Sequence, residues 1–399
     1  MPDIVAVHRH STAYRRMGIR GRNGRVYTYL VQSALPKHAR AEERIGQLLR
    51  SLSAMLDRRP ESRQRGLHFA VPRMVPLNTH VRLVQEEPGT FSLEDVLTEH
   101  CALRGVTIDA PVAYSYEARK QDLLVRAQSV CVCVCVRVCV CVWSFVVVAS
   151  HPFVFSLLFT IMLFFLPFGL QGTLEATDGQ RAAEVRRAVF EHVRKEFVPL
   201  DILTRYARAL HPDLTHLWLF RRQFTAQLAM AALATYVLGL NKSAPHALKM
   251  VAATGSIVPW ELAFSLDSSG LLVPSDRVPF RLTPTLVNLA TPVGISGVFS
   301  GCMVAGAQAL ADPDMRLADH VGIILRDEIL SWSVGGAGPG RQDTEELMAK
   351  LRLNLENIQR RLGAISAPDT AHQGVEQLIK NSTATGSLCL MSPMWHPWL

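Results

Sequence analysis

Three stretches hold residues of the types that bind metals, phosphates or nucleic acid, and spacing decides each case. Cys131 to Cys141 alternates Cys with Val and carries five of the eight cysteines. Spaced by two, these cysteines line one face of a strand, unlike the Cys-x₂-Cys knuckles of zinc sites. Cys101, Cys302 and Cys389 are too sparse for a disulfide framework, which fits a reducing compartment. Gly335 to Gly340 is glycine-rich but lacks the Gly-Lys-Ser/Thr ending of a phosphate loop, so it reads as a flexible linker. His8 to Arg25 is basic with Tyr14 as its one interleaved aromatic and no base-reading motif, so a hairpin surface is the better reading than nucleic-acid contact. The net charge of +8 comes from arginines that are scattered and often followed by acids, as in a solvated surface.

The elements that must position any site read in order. Gly21-Arg22-Asn23-Gly24 predicts a hairpin turn, because Asn-Gly supports positive φ. Val26 to Val31 follows as a strand. Ile45, Leu48, Leu49, Leu52 and Leu56 recur at helical spacing, and the acids of that helix are expected to pair with Arg40 and Arg44 at the surface. His68 to Pro76 and Val81 to Val84 read as strands, and Ser92 with Asp95 as a capped helix start. Arg181 to Phe197 is amphipathic, and Phe220 to Leu240 is apolar nearly all round, as in a buried helix. The small residues of Thr291 to Ala311 allow close helix packing, and Val321 to Trp332 reads as a buried helix with Arg326, Asp327 and Glu328 ion-paired. Thr344 to Leu362 carries a Leu/Ile stripe, and Leu388, Met391, Trp395 and Trp398 give the last stretch an apolar payload that must be buried.

Ala234 to Ala263 and Val278 to Pro284 resemble the catalytic centre of the phosphatidylinositol-3-kinase-related kinases. Tyr236, Leu238, Gly239 and Leu240 match the lead-in to the catalytic loop, and Thr254-Gly255 matches the hairpin before the metal-binding Asp. With YRRMGIRGRNGRVYTYLV, EERIGQLLRSL, FRRQFTAQLA, VPFRLTP, LRDEILSW and LCLMSPMWHPWL, the sequence is similar to the TRRAP (transformation/transcription domain-associated protein) family. The resemblance spans nearly everything outside one insert.

Phosphoryl transfer needs a cation on the phosphates, a base for the substrate hydroxyl and ligands for Mg²⁺. The resemblance implies that all of these are replaced. Gln32 stands for the phosphate-holding Lys, Lys242 falls within the replaced Gly-Asp-Arg-His run, Ala247 stands for the metal-binding Asn, and Glu261-Leu262-Ala263 for Asp-Phe-Gly. Gln32 has no charge to offer. Lys242 accepts no proton at neutral pH without a strongly lowered pKa. Ala247 offers a metal no oxygen. Only Glu261 keeps a ligand type, and the hinge aromatic that stacks on adenine gives way near Glu86.

Ser129 to Gln171 breaks the pattern. Between Val138 and Leu174 there is no Lys, Arg, Asp or Glu, a length sufficient to span a bilayer. Strict Val-Cys alternation is also what a GT dinucleotide repeat encodes, the Phe/Leu/Ser/Pro run is what pyrimidine-rich codons encode, and Gln171 can be CAG. Those are the features of an intron, and the resemblance stops near Gln128 and resumes near Gly172. The segment is therefore read as an unspliced intron rather than a membrane anchor.

The expected architecture is an α+β, two-lobed protein-kinase-like fold. Residues 1–95 form a β-rich N-lobe and 96–333 a mainly helical C-lobe interrupted by 129–171. Residues 334–366 form a linker and amphipathic helix, and 367–399 a short helical FATC tail. The resemblance implies a nuclear pseudokinase, the C-terminal tenth or so of a scaffold in histone acetyltransferase complexes. It would meet the other subunits directly and transcription activators through the larger protein, with no cofactor, metal, small-molecule substrate, direct nucleic-acid contact or membrane. The alternatives are an active protein or lipid kinase with displaced residues, using Glu261 with Asp267 for metal, and a membrane-anchored protein.

Overall fold

The computed structural model describes residues 5–9, 12–33, 39–78, 80–121, 180–240, 244–273, 277–334 and 344–399. The readings made on Lys242, on 129–171 and on Gly335 to Gly340 lie outside these residues.

The N-terminal part is a five-stranded antiparallel sheet in the order β1-β2-β3-β5-β4. Its strands are β1 (Val5–Arg9), β2 (Thr12–Arg20), β3 (Val26–Ser33), β4 (Met74–Pro76) and β5 (Val81–Gln85). The β2–β3 turn forms where Asn-Gly stands, with Gly24 at φ 75° and the Asn23 side-chain Oδ1 accepting from the Arg25 amide at 3.1 Å. Of the strand expected from His68, only Met74–Pro76 pairs. Helix α1 (Ala39–Leu56) buries Ile45, Leu48, Leu49, Leu52 and Leu56.

A short helix, α2 (Pro60–Gln64), follows α1, and the chain passes to a second antiparallel sheet, β6-β7-β8 (Thr90–Ser92, Leu248–Val251, Ile257–Pro259). The step between sheets falls at Glu86 to Gly89. Ser92 and Asp95 form the expected capping box on α3 (Leu93–Leu103). Helices α4 (residues 110–121) and α5 (residues 180–196) come next. The Tyr114 and His192 rings stack between them with centroids 4.6 Å apart.

After α6 (Ile202–Leu210), the long α7 (Leu214–Leu238) starts exposed, runs through the core buried nearly all round from Phe224, and ends on Gly239 in the left-handed region. Packed around it are α8 (Pro284–Ala290), α9 (Ser300–Leu310) and α11 (Thr344–Ser366), with α10 (Leu317–Val334) against α11 and α1. At Gly306 an added Cβ would lie 2.9 Å from Leu233 Cδ2, so α9 approaches α7 closely enough that an added methyl would have to displace that side-chain end. Arg44 of α1 reaches Asp327 and Glu328 of α10 at 3.5 and 3.8 Å, and Arg326 lies 3.8 Å from Asp327. The chain closes with α12 (Ala371–Thr383) and α13 (Thr385–Leu388), with Val375, Leu388, Met391, Trp395 and Trp398 buried.

One large apolar core occupies the helical part. A smaller one joins Leu30 of β3 and Val84 of β5 to Val251, Val258 and Trp260 on the second sheet. The two sheets thus meet through apolar side chains at the back of the cleft between them. Among the described residues no single helix is long and apolar enough to cross a membrane.

Candidate functional site

The cleft's roof is set by the rung Gln32↔Arg82, where β3 pairs with β5. Paired residues share a face, so both side chains point inward beside Leu30 and Val84. Arg82 Nε donates to Gln32 Oε1 at 2.7 Å, and Arg82 Nη2 to Glu42 Oε2 at 2.5 Å. Arg82 Nη1 lies 3.8 Å from Glu43 Oε1. Gln32 and Arg82 are 2% exposed and Glu42 6%. Glu42 is therefore no surface acid paired with Arg40 or Arg44. It shares the helical face of Ile45 and Leu49, which turns it inward to the buried guanidinium. Its other oxygen, Oε1, accepts from the Glu261 backbone N–H at 2.6 Å.

The floor is built on α7 and the β7–β8 hairpin. Gly255, at φ 76°, lies so close to α7 that an added Cβ would overlap the Phe220 carbonyl, which explains the Thr254-Gly255 turn. Ala247 is 3% exposed, and its carbonyl accepts from the Trp260 amide at 2.9 Å. A buried methyl thus stands at the position where the resemblance implies a metal-binding amide. Glu261 adopts φ 56°, and its Oε2 lies 3.2 Å from His246 Nε2. Asp267, offered as a companion metal ligand, is turned into its own loop. Its Oδ1 accepts from the Ser269 amide at 2.8 Å, the Ser269 hydroxyl at 2.6 Å and the Leu271 amide at 3.0 Å. These hydrogen bonds, with Ser269's hydroxyl first, hold its pKa below the usual carboxylate value. Of the four positions expected to be degenerate, the structure brings Gln32 and Glu261 together through Glu42 and Arg82. Ala247 lies on the same floor, and Lys242 is outside the described residues.

A cavity of about 410 Å³ lies between the two sheets, lined by none of the residues of this network. Glu86, Glu87, Lys249, Thr254 and Trp260 are among its lining residues. Glu86 is held by Arg16, whose Nε and Nη2 donate to its carboxylate at 2.7 and 2.9 Å. Lys249 Nζ sits 3.3 Å from the centroid of the Trp260 ring, covering the aromatic surface that could stack on a base. Among the described residues no group of three or more His, Cys, Asp or Glu could hold a metal ion. Cys101, Cys302 and Cys389 are buried, and burial raises all three thiols, Cys389 to about 11.

A second polar cluster ties the end of the chain to the helical part. Buried Arg281 donates through Nη1 to the carbonyls of His396 (3.2 Å) and Leu399 (2.8 Å), and through Nη2 to that of Trp395. Its guanidinium carbon lies 3.7 Å from the Trp395 ring centroid. In FRRQF, Arg221 packs with its Nε lacking a hydrogen-bond partner, and Arg222 lies over the Trp218 ring.

Sequence reasoning missed Arg82, and with it the role of Glu42. The signal was present: Arg82 alternates onto the face of Val84 within an otherwise apolar strand, and Glu42 precedes Ile45 and Leu49 at helical spacing. The partners of Arg281 lie more than a hundred positions away and left no local signal.

The family model described as phosphatidylinositol 3- and 4-kinase matches residues 29–334. The transformation/transcription domain-associated protein of Mus musculus is 30% identical over 412 residues, covering 100% of this chain and 14% of the relative. That of Homo sapiens is also 30% identical, with 9% of its length covered. The Schizosaccharomyces pombe SAGA complex/NuA4 acetyltransferase complex subunit Tra1 is 25% identical over 100% of this chain and 10% of its own. This chain thus spans about a tenth of the length of these relatives. In fold it is similar to the structure of the open conformation of CtTel1, with a TM-score of 0.66 at 18% identity over 99% of this chain and 12% of that one. The chain belongs to the phosphatidylinositol 3- and 4-kinase family and, within it, to the transformation/transcription domain-associated group.

Proposed function

We propose that this chain is the pseudokinase region of a large transcription cofactor, a non-catalytic scaffold in the nucleus. The observation that carries this reading is the pair of substitutions at Gln32 and Ala247. Where phosphate needs a cation, the Gln32 carbonyl is turned to Arg82, and where Mg²⁺ needs an oxygen there is a buried methyl. The names of its relatives, a transcription-associated protein and a SAGA/NuA4 subunit, support assembly with other subunits of histone acetyltransferase complexes. Recruitment by activators would then run through the rest of the larger protein. The rival reading, an active kinase using Glu261 with Asp267, is opposed by the commitment of Asp267 to its own loop.

The segment 129–171 is proposed to be an intron, so mature transcripts should join the codons of Gln128 and Gly172. The stacking of Tyr114 on His192, which sets α4 beside α5, supports a chain that is continuous there without the segment.

Purification of the tagged endogenous protein tests the scaffold reading. Histone acetyltransferase activity should co-purify and be lost when the region 1–399 is deleted. Retention of full activity in the deletion would overturn it.

A further inference from the structure

We propose that Arg82, Glu42, Gln32 and the Glu261 amide form a latch that holds the two lobes together without nucleotide. In active kinases a Lys on the third strand and an acid on the neighbouring helix make an ion pair at this place, completed by nucleotide and metal. Here that strand position is Gln32. The cation stands one strand sideways on the same rung, at Arg82 of β5, directly opposite Gln32 in the antiparallel register. Residues opposed in this way have Cβ atoms about 5 Å apart, so the positive charge stays at nearly the same point in space while its strand changes.

The exchange alters what the charge can do. A Lys has three donors and a mobile stem. The Arg82 guanidinium directs Nε to Gln32 and Nη2 to Glu42, at 2.7 and 2.5 Å, in a site where all three residues are buried. Its charge is engaged by the protein. Gln32 is suited to the site because it supplies an acceptor where a second cation would repel Arg82. Glu42 then joins the lobes. One oxygen receives Arg82 from the first sheet, and the other receives the backbone N–H of Glu261, at the position where a metal-binding Asp would stand. The amide is presented by a left-handed backbone turn, φ 56°, that a non-glycine residue adopts only when its surroundings enforce it. The apolar contact of Leu30 and Val84 with Val251, Val258 and Trp260 lies alongside and keeps water from competing. The latch does not depend on the scaffold reading and would hold equally if another function were found.

The first test is hydrogen exchange on the full, unmodified chain. The Glu261 amide should be as protected as the amides of β7, and equally so at low and high salt and with or without Mg-ATP. Exchange at the rate of exposed loop amides would overturn the proposal. Substitutions then assign the protection. E42Q keeps an acceptor and should keep most of it, whereas E42A should lose it at least tenfold. R82M should lower Tm by about 5 °C or more, and the double variant R82M/E42M should regain part of that loss, because a lone buried charge costs more than an apolar pair. Q32K, which sets a second cation beside Arg82, should lower Tm and create no Mg-ATP-dependent shift. Unchanged Glu261 protection in E42A, or a raised Tm in Q32K, would refute the latch even if R82M fails to fold.

Discussion

Arg281 shows how much a single side chain can hold here. It satisfies carbonyls of Trp395, His396 and Leu399 and lies against the Trp395 ring. Arg281→Met leaves those carbonyls without their charged donor, and the expected loss is about 3 kcal/mol or more, read from denaturant midpoints. Arg281→Lys should recover only part, because an ammonium cannot reproduce the planar fork. Beside it, burial first and the Arg281 charge second push the His396 pKa down to about 4 from an ordinary 6.5. The unfolded chain therefore binds this proton first as pH falls. The stability due to neutral His396 is complete above about pH 6.5 and declines as pH drops toward 4. His100 shifts the same way, mainly through burial. A Tm profile should be level above neutrality and fall through that window, with a shallower fall in His396→Gln. At this scale the sequence suggested substitutions at Gln32, Ala247 and Glu261 but not their partners. A motif records which group is missing, whereas the replacing contact comes from another strand.

Elements were more legible, since helices and strands answer to local spacing. The turn at Asn23-Gly24, the capping box at Ser92 and the apolar α7 follow from turn chemistry, capping and periodicity. The misplacement of Glu42 came from reading its charge before its position on the helix. The small-residue run after Thr291 does permit close approach, and Gly306 is where it matters. An ideal Cβ there would stand 2.9 Å from Leu233 Cδ2 and 3.2 Å from Met230 Sδ. Gly306→Ala should be mild, since both neighbours are ends of side chains. Gly306→Val should part α9 from α7 and cost about 1–3 kcal/mol, seen as a lower Tm without loss of helical circular dichroism.

Across the whole molecule, the kinase-like frame of the family is kept, and the chemistry is what we propose has been lost. The large core, the apolar contact between sheets and the Arg281 cluster tie the two lobes and the tail together. The overall plan was legible because the family's motifs mark sheet, hinge, long helix and tail. What was not legible is long-range: a buried Arg82 that meets an acid forty positions away and through it the opposite lobe. The central claim is that this cleft carries out no phosphoryl transfer, and thermal unfolding of the full chain against Mg-ATP tests it most directly. The account predicts a Tm that does not move at saturating Mg-ATP. A saturable upward shift, about 2.7 kcal/mol of stabilisation at a hundredfold excess over Kd, would contradict it and reopen the case for a working kinase.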